Sequence, residues 1–121
     1  MSDQESQQKR KYFRLRYGVK ELMPDLYMFG KVFRVSELSE GGIRVLMGES
    51  AITAQRTITG YIELHTTGKI YIKGHILRQE KNEMVFVLSE GPTFKQMIEE
   101  QRFLRQNHPG LFPKKTSFVE V

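Results

Sequence analysis

Apolar and polar residues alternate through the middle of the chain, which is the pattern of half-buried β-strands. In the segment 57–65 the alternation places Ile58, Ile62 and Leu64 on one face, and the segment 70–78 repeats it. Three further β-rich runs lie at 32–35, 43–47 and 84–88. Short strands separated by regular turn signals predict a mainly β protein, either a small barrel or a sandwich.

Turn-forming residues separate these runs. The segment 36–42, which ends in two glycines, breaks the strand pattern, and Thr66–Lys69 predicts a hairpin turn. A polar turn is expected at Glu80–Glu83. The run 84–88 is almost continuously apolar, so it predicts a central or buried strand.

The period of the apolar residues changes near the end of the chain. Thr93 and Gln96 have the spacing of a capping box, and they predict a helix over 93–106 whose apolar stripe covers the barrel. The apolar residues at helical spacing are Phe94, Met97, Ile98 and Leu104. A His-Pro-Gly sequence then ends the helix.

A length of 121 residues fits one domain with one core. We expect a disordered lead at 1–8, a folded domain at 9–106 and a loose tail at 107–121. The chain has no cysteine, no apolar run long enough to span a bilayer, and a polar N-terminus without the apolar stretch of a signal peptide. We therefore expect a cytoplasmic protein.

No motif for catalysis stands out. The three histidines, His65, His75 and His108, lack metal-ligand spacing, and we interpret them as ordinary surface or turn residues. No serine has the context of a nucleophile elbow, and no Walker-type glycine loop is present. The sequence therefore predicts a binding protein, not an enzyme, with neither metal nor cofactor.

The formal net charge of +5 changes the picture because it is unevenly distributed. Residues 9–20, called here the basic segment, carry six cationic side chains and no acidic one. Arg10 and Arg14 lie within it in an Arg-x-x-x-Arg spacing. Arginine holds a phosphate, or the O6/N7 edge of guanine, with two parallel hydrogen bonds. A solvated basic face is the alternative interpretation.

A second candidate binding motif lies between two predicted strands. Ser39 offers a hydroxyl group, while Gly41 and Gly42 permit positive φ angles and close backbone approach. Glu37 could accept from the N1/N2 edge of guanine. Taken alone, this segment is better explained as a plain β-turn.

Together, the two motifs resemble those of PilZ domains, which carry Arg-x-x-x-Arg in an N-terminal loop and then Asp/Asn-x-Ser-x-x-Gly. Arg10 and Arg14 match the first motif, and Ser39 and Gly42 match the second. The resemblance extends over about 9–106. At the Asp/Asn position this chain has Glu37, whose acceptor is displaced by about one bond length.

The resemblance implies a six-stranded antiparallel β-barrel with a C-terminal α-helix that binds cyclic di-GMP, often as an intercalated dimer of the nucleotide. Arg10 and Arg14 would contact bases and phosphates, and Ser39 and Gly42 would line the opposite wall. Arg78 falls where the family often has an aromatic residue, and it could lie flat on a base. Ligand binding would order the basic segment and be read by an unidentified effector protein.

Two other functions remain open at this point. One is a PilZ-like adaptor that contacts proteins without a nucleotide, as Glu37 at the Asp/Asn position allows. The other is a barrel that binds single-stranded nucleic acid, because Tyr12, Phe13 and Tyr17 are interleaved with the basic residues.

Overall fold

The computed structural model describes residues 13–47 and 57–112. Arg10, the expected lead at 1–8 and most of the expected tail lie outside the described residues. The described strands are β1 (Leu15–Arg16), β2 (Asp25–Met28), β3 (Lys31–Leu38), β4 (Gly42–Leu46), β5 (Thr57–Leu64), β6 (Gly68–Glu80) and β7 (Glu83–Glu90). A 3-10 turn (Lys20–Leu22) precedes β2, and the helix α1 (Phe94–Asn107) follows β7.

Six antiparallel strands close into a barrel. Around the barrel the order is β2-β5-β6-β7-β4-β3, and β3 pairs again with β2. The short β1 adds to β3 beyond the end of β2, where Arg16 lies opposite Glu37. The predicted fold class, a six-stranded antiparallel barrel with a C-terminal helix, is confirmed.

The inward face of each strand carries the residues that the alternation selected. Ile58, Ile62 and Leu64 are all buried, and Ile72 is fully buried on the neighbouring strand. Phe86, one of the inward-facing residues of β7, is also fully buried. Burial of these side chains is the main stabilising contribution to the barrel.

Two strand predictions need correction. The strand pattern does not break at Ser36, because β3 continues to Leu38 and only the segment 39–41 forms the turn. The strand β2 was not predicted at all. It has only four residues, and two inward side chains, Leu26 and Met28, are too few to establish a period in sequence.

The helix begins with the predicted capping box. The Gln96 amide donates to Thr93 Oγ1 at 3.1 Å, and the Thr93 amide donates to Gln96 Oε1 at 2.9 Å. Met97 and Leu104 are fully buried in the same core as the strands, so α1 packs on the barrel. Phe94 was predicted to belong to this stripe, but it is 59% exposed because it lies in the first turn, beyond the contact with the barrel.

Candidate functional site

A β-bulge in β3 decides where Glu37 points. Val35 is paired with Val45, but the next pair is Glu37 with Arg44, so Ser36 is an extra residue. Without the bulge, the strict alternation from Val35 would turn Glu37 into the core. The bulge instead places Glu37 on the outer face of the barrel, beside Arg44.

A second bulge, in β6, does the same for Arg78. Ile76 is paired with Phe86 on the inside, and the next pair is Arg78 with Val85, which leaves Leu77 as the extra residue. Arg78 therefore shares the outer face with Val85 and does not enter the core. Bulges are common beside binding sites because they redirect individual side chains.

A cavity of about 240 Å³ lies on this outer wall. All predicted site residues within the described part of the chain line it: Arg14, Glu37, Ser39, Gly41, Gly42 and Arg78. Arg10 lies outside the described residues. The structure adds residues that the sequence did not indicate, chiefly Arg44, Leu77 and the segment 85–87.

Glu37 lies at the centre of a cluster of arginine side chains. Its carboxylate lies 3.5 Å from the Arg14 guanidinium, 3.2 Å from that of Arg16 and 3.7 Å from that of Arg44. The Glu37 side chain is only 10% exposed. Within the described residues, however, no donor reaches the buried Oε1 atom with hydrogen-bond geometry, although the Arg16 and Arg44 guanidinium groups are its ion-pair partners.

Arg44 and Arg78 are held by carboxylates on the hairpin between β6 and β7. Arg44 contacts Glu80 at 2.8 Å and Glu83 at 3.2 Å, and Arg78 also pairs with Glu80. Hydrogen bonds from Arg78 and then Arg44 lower the pKa of Glu80 to about 2. The hydrogen bond that Arg44 donates to Glu80 raises the pKa of Arg44, against the opposing effect of burial.

The sequence did not indicate Arg44 as a site residue, because an arginine on an alternating strand is normally interpreted as an ordinary solvent-facing residue. Its position two residues after Gly42, at the third residue of β4, was the available signal. Four arginines (14, 16, 44 and 78) face three glutamates (37, 80 and 83), a formal excess of one positive charge.

The turn between β3 and β4 is held by Ser39. The Ser39 amide donates to the Gly42 carbonyl at 2.9 Å, and the Gly41 amide donates to Ser39 Oγ at 3.3 Å. Neither glycine has a positive φ angle, so that part of the expectation is wrong. Close approach does apply to Gly42, where a Cβ atom would lie 3.2 Å from the Phe86 carbonyl oxygen.

The two aromatic residues of the basic segment that the structure describes, Phe13 and Tyr17, do not form a stacking surface. Tyr17 is only 2% exposed, and Phe13 packs partly buried against the core. Tyr12 lies outside the described residues. The proposed alternation of basic and stacking aromatic residues is therefore wrong for the two aromatic residues that the structure describes.

A second polar cluster lies under α1. The fully buried Glu100 carboxylate accepts hydrogen bonds from the Tyr17 hydroxyl, from the amides of His65 and Thr66 and from the Thr66 hydroxyl, and it contacts His65 Nδ1. His65 lies exposed in the turn after β5, as expected, and its ring also contacts the buried Glu100 carboxylate. The signal in the sequence was a glutamate at the apolar spacing of the helix, three residues after Met97 and four before Leu104.

Two kinds of feature are absent from residues 13–47 and 57–112. No group of three or more histidine or acidic side chains is arranged to hold a metal ion. In the same ranges, no helix combines the length and the apolar character that crossing a bilayer requires.

Comparisons with known proteins agree with the fold. No protein-family model matches the chain, and no curated protein matches it. Solved structures do match it, among them the following two. An uncharacterized Legionella protein, Lpg0364, superposes with a TM-score of 0.53 at 15% identity, covering 80% of this chain and 98% of its own.

The second structure is the Bacillus subtilis inhibitor of motility MotI/DgrA. It superposes with a TM-score of 0.53 at 19% identity over 83% of this chain. The match covers 52% of the MotI/DgrA chain, so this chain corresponds to about half of it. At these identities the similarity shows a shared fold.

Proposed function

We propose that the cavity between the two bulges binds cyclic di-GMP, and that the protein is a receptor and not an enzyme. The observation that carries the proposal is the convergence of Arg14, Glu37, Ser39, Gly42 and Arg78 on one cavity. These residues come from three separate parts of the sequence. The structural similarity to an inhibitor of motility is compatible with a signalling role.

The chemistry of the cavity suits a guanine nucleotide. Arg14 and Arg78 are about half exposed, so their guanidinium groups can turn toward a phosphate or a guanine O6/N7 edge. The Oε1 atom of Glu37 lacks a hydrogen-bond donor among the described residues, and the N1 and N2 groups of guanine are donors. A bound guanine would satisfy this atom.

The size of the cavity suggests how much of the ligand it holds. Pockets that enclose a drug-sized ligand occupy roughly 300–1,000 Å³, and this one has about 240 Å³. The cavity would therefore hold one guanylate unit. We propose that Arg10 and the rest of the basic segment hold the other unit, which makes that segment both a clamp and the part read by an effector.

Binding requires an exchange of partners. In the ligand-free protein, Glu37 neutralises Arg14 and Arg16, and Glu80 neutralises Arg78. The ligand carries two negative charges, which would replace these carboxylates as partners of the arginines. Ion pairs at the protein surface contribute little to stability, so exchanging the Arg78–Glu80 pair costs little.

Calorimetry on the purified chain tests the proposal. We expect saturable binding of cyclic di-GMP, with most of the affinity lost in Arg14→Ala and Arg78→Ala. Lys95→Ala, an exposed cation on α1, is the matched control and should bind like the wild type. Absence of binding heat at micromolar nucleotide, or equal losses in all three variants, would refute the site.

One observation favours a second candidate, a protein adaptor that needs no nucleotide. Glu37 already neutralises the arginines that a nucleotide would use. In that case, titration with cyclic di-GMP would leave the backbone amide signals of residues 37–42 unchanged. The same titration separates the two functions, because the receptor requires those signals to move.

A further inference from the structure

A row of exposed side chains crosses four strands on the outer wall of the barrel. The strand register places Val32 opposite Tyr27, Tyr27 opposite Tyr61, and Tyr61 opposite Tyr71. Val32, Tyr61 and Tyr71 are 56%, 49% and 43% exposed, and the Tyr61 and Tyr71 rings meet edge to face at 5.8 Å. This is a continuous apolar and aromatic surface, which we call the aromatic row.

The hairpin beside the row presents another exposed aromatic residue at a conformational cost. Phe29 and Gly30 form the two-residue loop between β2 and β3, with φ angles of 54° and 71°. A bulky residue is disfavoured in this left-handed region, where glycine or asparagine is usual. Phe29 is 43% exposed, so burial in this chain does not compensate for the strain.

Lysines border the aromatic row. The Lys69 ammonium lies 4.8 Å from the centre of the Tyr27 ring, Lys31 follows the hairpin loop, and Lys73 lies on the outer face of β6. Within the described residues, no carboxylate lies within ion-pair distance of these three lysines.

The two carboxylates nearest the row already have partners. Asp25 pairs with Arg34 at 3.2 Å, and Glu63 accepts a hydrogen bond from the Tyr27 hydroxyl at 3.0 Å. The Tyr27 phenol is neutral and does not offset the Glu63 carboxylate, but the three lysines outnumber that carboxylate, so the border of the row carries a net positive charge.

The aromatic row lies on a different wall of the barrel from the nucleotide cavity. The two surfaces share β3 and β6 but use opposite ends: Val32 against Glu37 on the first strand, and Tyr71 against Arg78 on the second. A molecule bound at the row would leave the cavity open, and the inference below does not depend on cyclic di-GMP binding.

We propose that the aromatic row and Phe29 form a docking surface for an acidic linear segment of a partner protein, one that also carries apolar side chains. Tyrosine and phenylalanine are enriched at protein interfaces, where they supply large contact areas. The lysines at the border supply the complementary charge, which guides the approach of an acidic partner and selects it. A depression of about 560 Å³ along the row would accommodate the segment.

Single-stranded nucleic acid fits this surface less well. Base stacking needs open ring faces. Lys69 covers one face of Tyr27, and the Tyr61 and Tyr71 rings contact each other edge to face. These features favour a peptide.

Selection from a library of random linear peptides displayed on phage, with the full chain as bait, tests the proposal. The double variant Tyr61→Thr/Tyr71→Thr serves for counter-selection, since threonine suits a strand. We expect enriched peptides that are acidic and contain aromatic or aliphatic residues. Their affinity should fall at least tenfold in the double variant and in Lys31→Glu/Lys69→Glu.

The controls are matched in chemistry and lie elsewhere on the surface. Leu111→Thr replaces another exposed apolar residue, and Lys95→Glu reverses another exposed cation; both should bind the peptides like the wild type. Thermal unfolding of each variant establishes that it is folded. Enriched peptides that are neutral or basic, or that bind the double variant equally well, overturn the proposal.

Three further outcomes also overturn it. The first is that the selection enriches no peptide whose binding depends on the aromatic row. This would happen if another part of the same chain covered the row. The second is that a mixed-sequence single-stranded DNA oligonucleotide, and not the peptides, shifts the amide signals of residues 27–32. The third is self-association that the double variant abolishes, measured by analytical ultracentrifugation.

Discussion

The Tyr17 hydroxyl donates a hydrogen bond of 3.1 Å to the Glu100 carboxylate, although 83 positions separate the two residues. Tyr17 lies three residues after Arg14, so this bond connects the segment that brings Arg14 to the cavity with the helix that packs on the barrel core. Burial, followed by the charge of Glu100, raises the pKa of Tyr17 far above its ordinary value, so the phenol stays protonated and remains a donor.

Removing the Glu100 carboxylate should destabilise the fold strongly. Glu100→Ala leaves the buried Tyr17 hydroxyl and the part-buried donors of His65 and Thr66 without their acceptor, and we expect a loss of about 3 kcal/mol in the free energy of unfolding. Urea denaturation measures it. Glu99→Ala, the preceding residue on the helix, should cost less than about 0.5 kcal/mol, and equal losses would contradict the role of Glu100.

Tyr17→Phe keeps the buried ring and removes one hydrogen bond to a charged group, so we expect a loss of about 1.5 kcal/mol in the same measurement. In the Glu100→Ala background the loss should nearly vanish, because the two groups interact directly. Additive losses would show that the hydrogen bond contributes nothing. Tyr71→Phe, at an exposed position, is the control.

Glu37→Gln should strengthen the binding of small anions. It removes one negative charge from a position that contacts Arg14, Arg16 and Arg44. Because the Arg14 and Arg16 partners are largely exposed and screened by solvent, a pair with Glu37 is worth about 1 kcal/mol, and the affinity for inorganic pyrophosphate at low salt should rise about fivefold. Calorimetry measures it, with Glu99→Gln as the control. Unchanged or weaker binding would show that Glu37 does not compete with anions.

The lowered pKa of Glu80 makes a contribution to stability that depends on pH. Its pKa of about 2 in the folded protein lies below the ordinary 4.5 of a glutamate. The contribution is therefore fully present above about pH 4.5 and is lost as the pH falls toward 2. We expect the melting temperature of Glu80→Gln to fall less over this range than that of the wild type. Parallel curves would contradict the assignment.

Phe29→Asn should stabilise the protein while weakening any binding at the aromatic row. Asn-Gly is the favoured pair for a two-residue hairpin loop with two positive φ angles, so we expect a gain of about 1 kcal/mol. Phe94→Asn, which replaces an exposed phenylalanine without a positive φ angle, should bring no such gain. Thermal unfolding distinguishes them. A destabilised Phe29→Asn would mean that the ring packs usefully in the free protein.

The sequence by itself determined the features that depend on neighbouring residues. Alternation located the inward faces of β5 and β6, and the Thr93–Gln96 spacing located the start of the helix, because period and capping are local properties of the backbone. The order and spacing of the Arg14 and Ser39 motifs indicated which parts of the chain form the cavity.

Only the tertiary structure decided which way the key side chains point and what they meet. The bulges at Ser36 and Leu77 appear only when each strand is paired with its neighbour, and each turns a charged side chain out of the core. The role of Arg44, the acceptor position of Glu100 and the aromatic row likewise depend on strand register and helix docking. Contacts between residues distant in sequence set these relationships, so no local pattern records them.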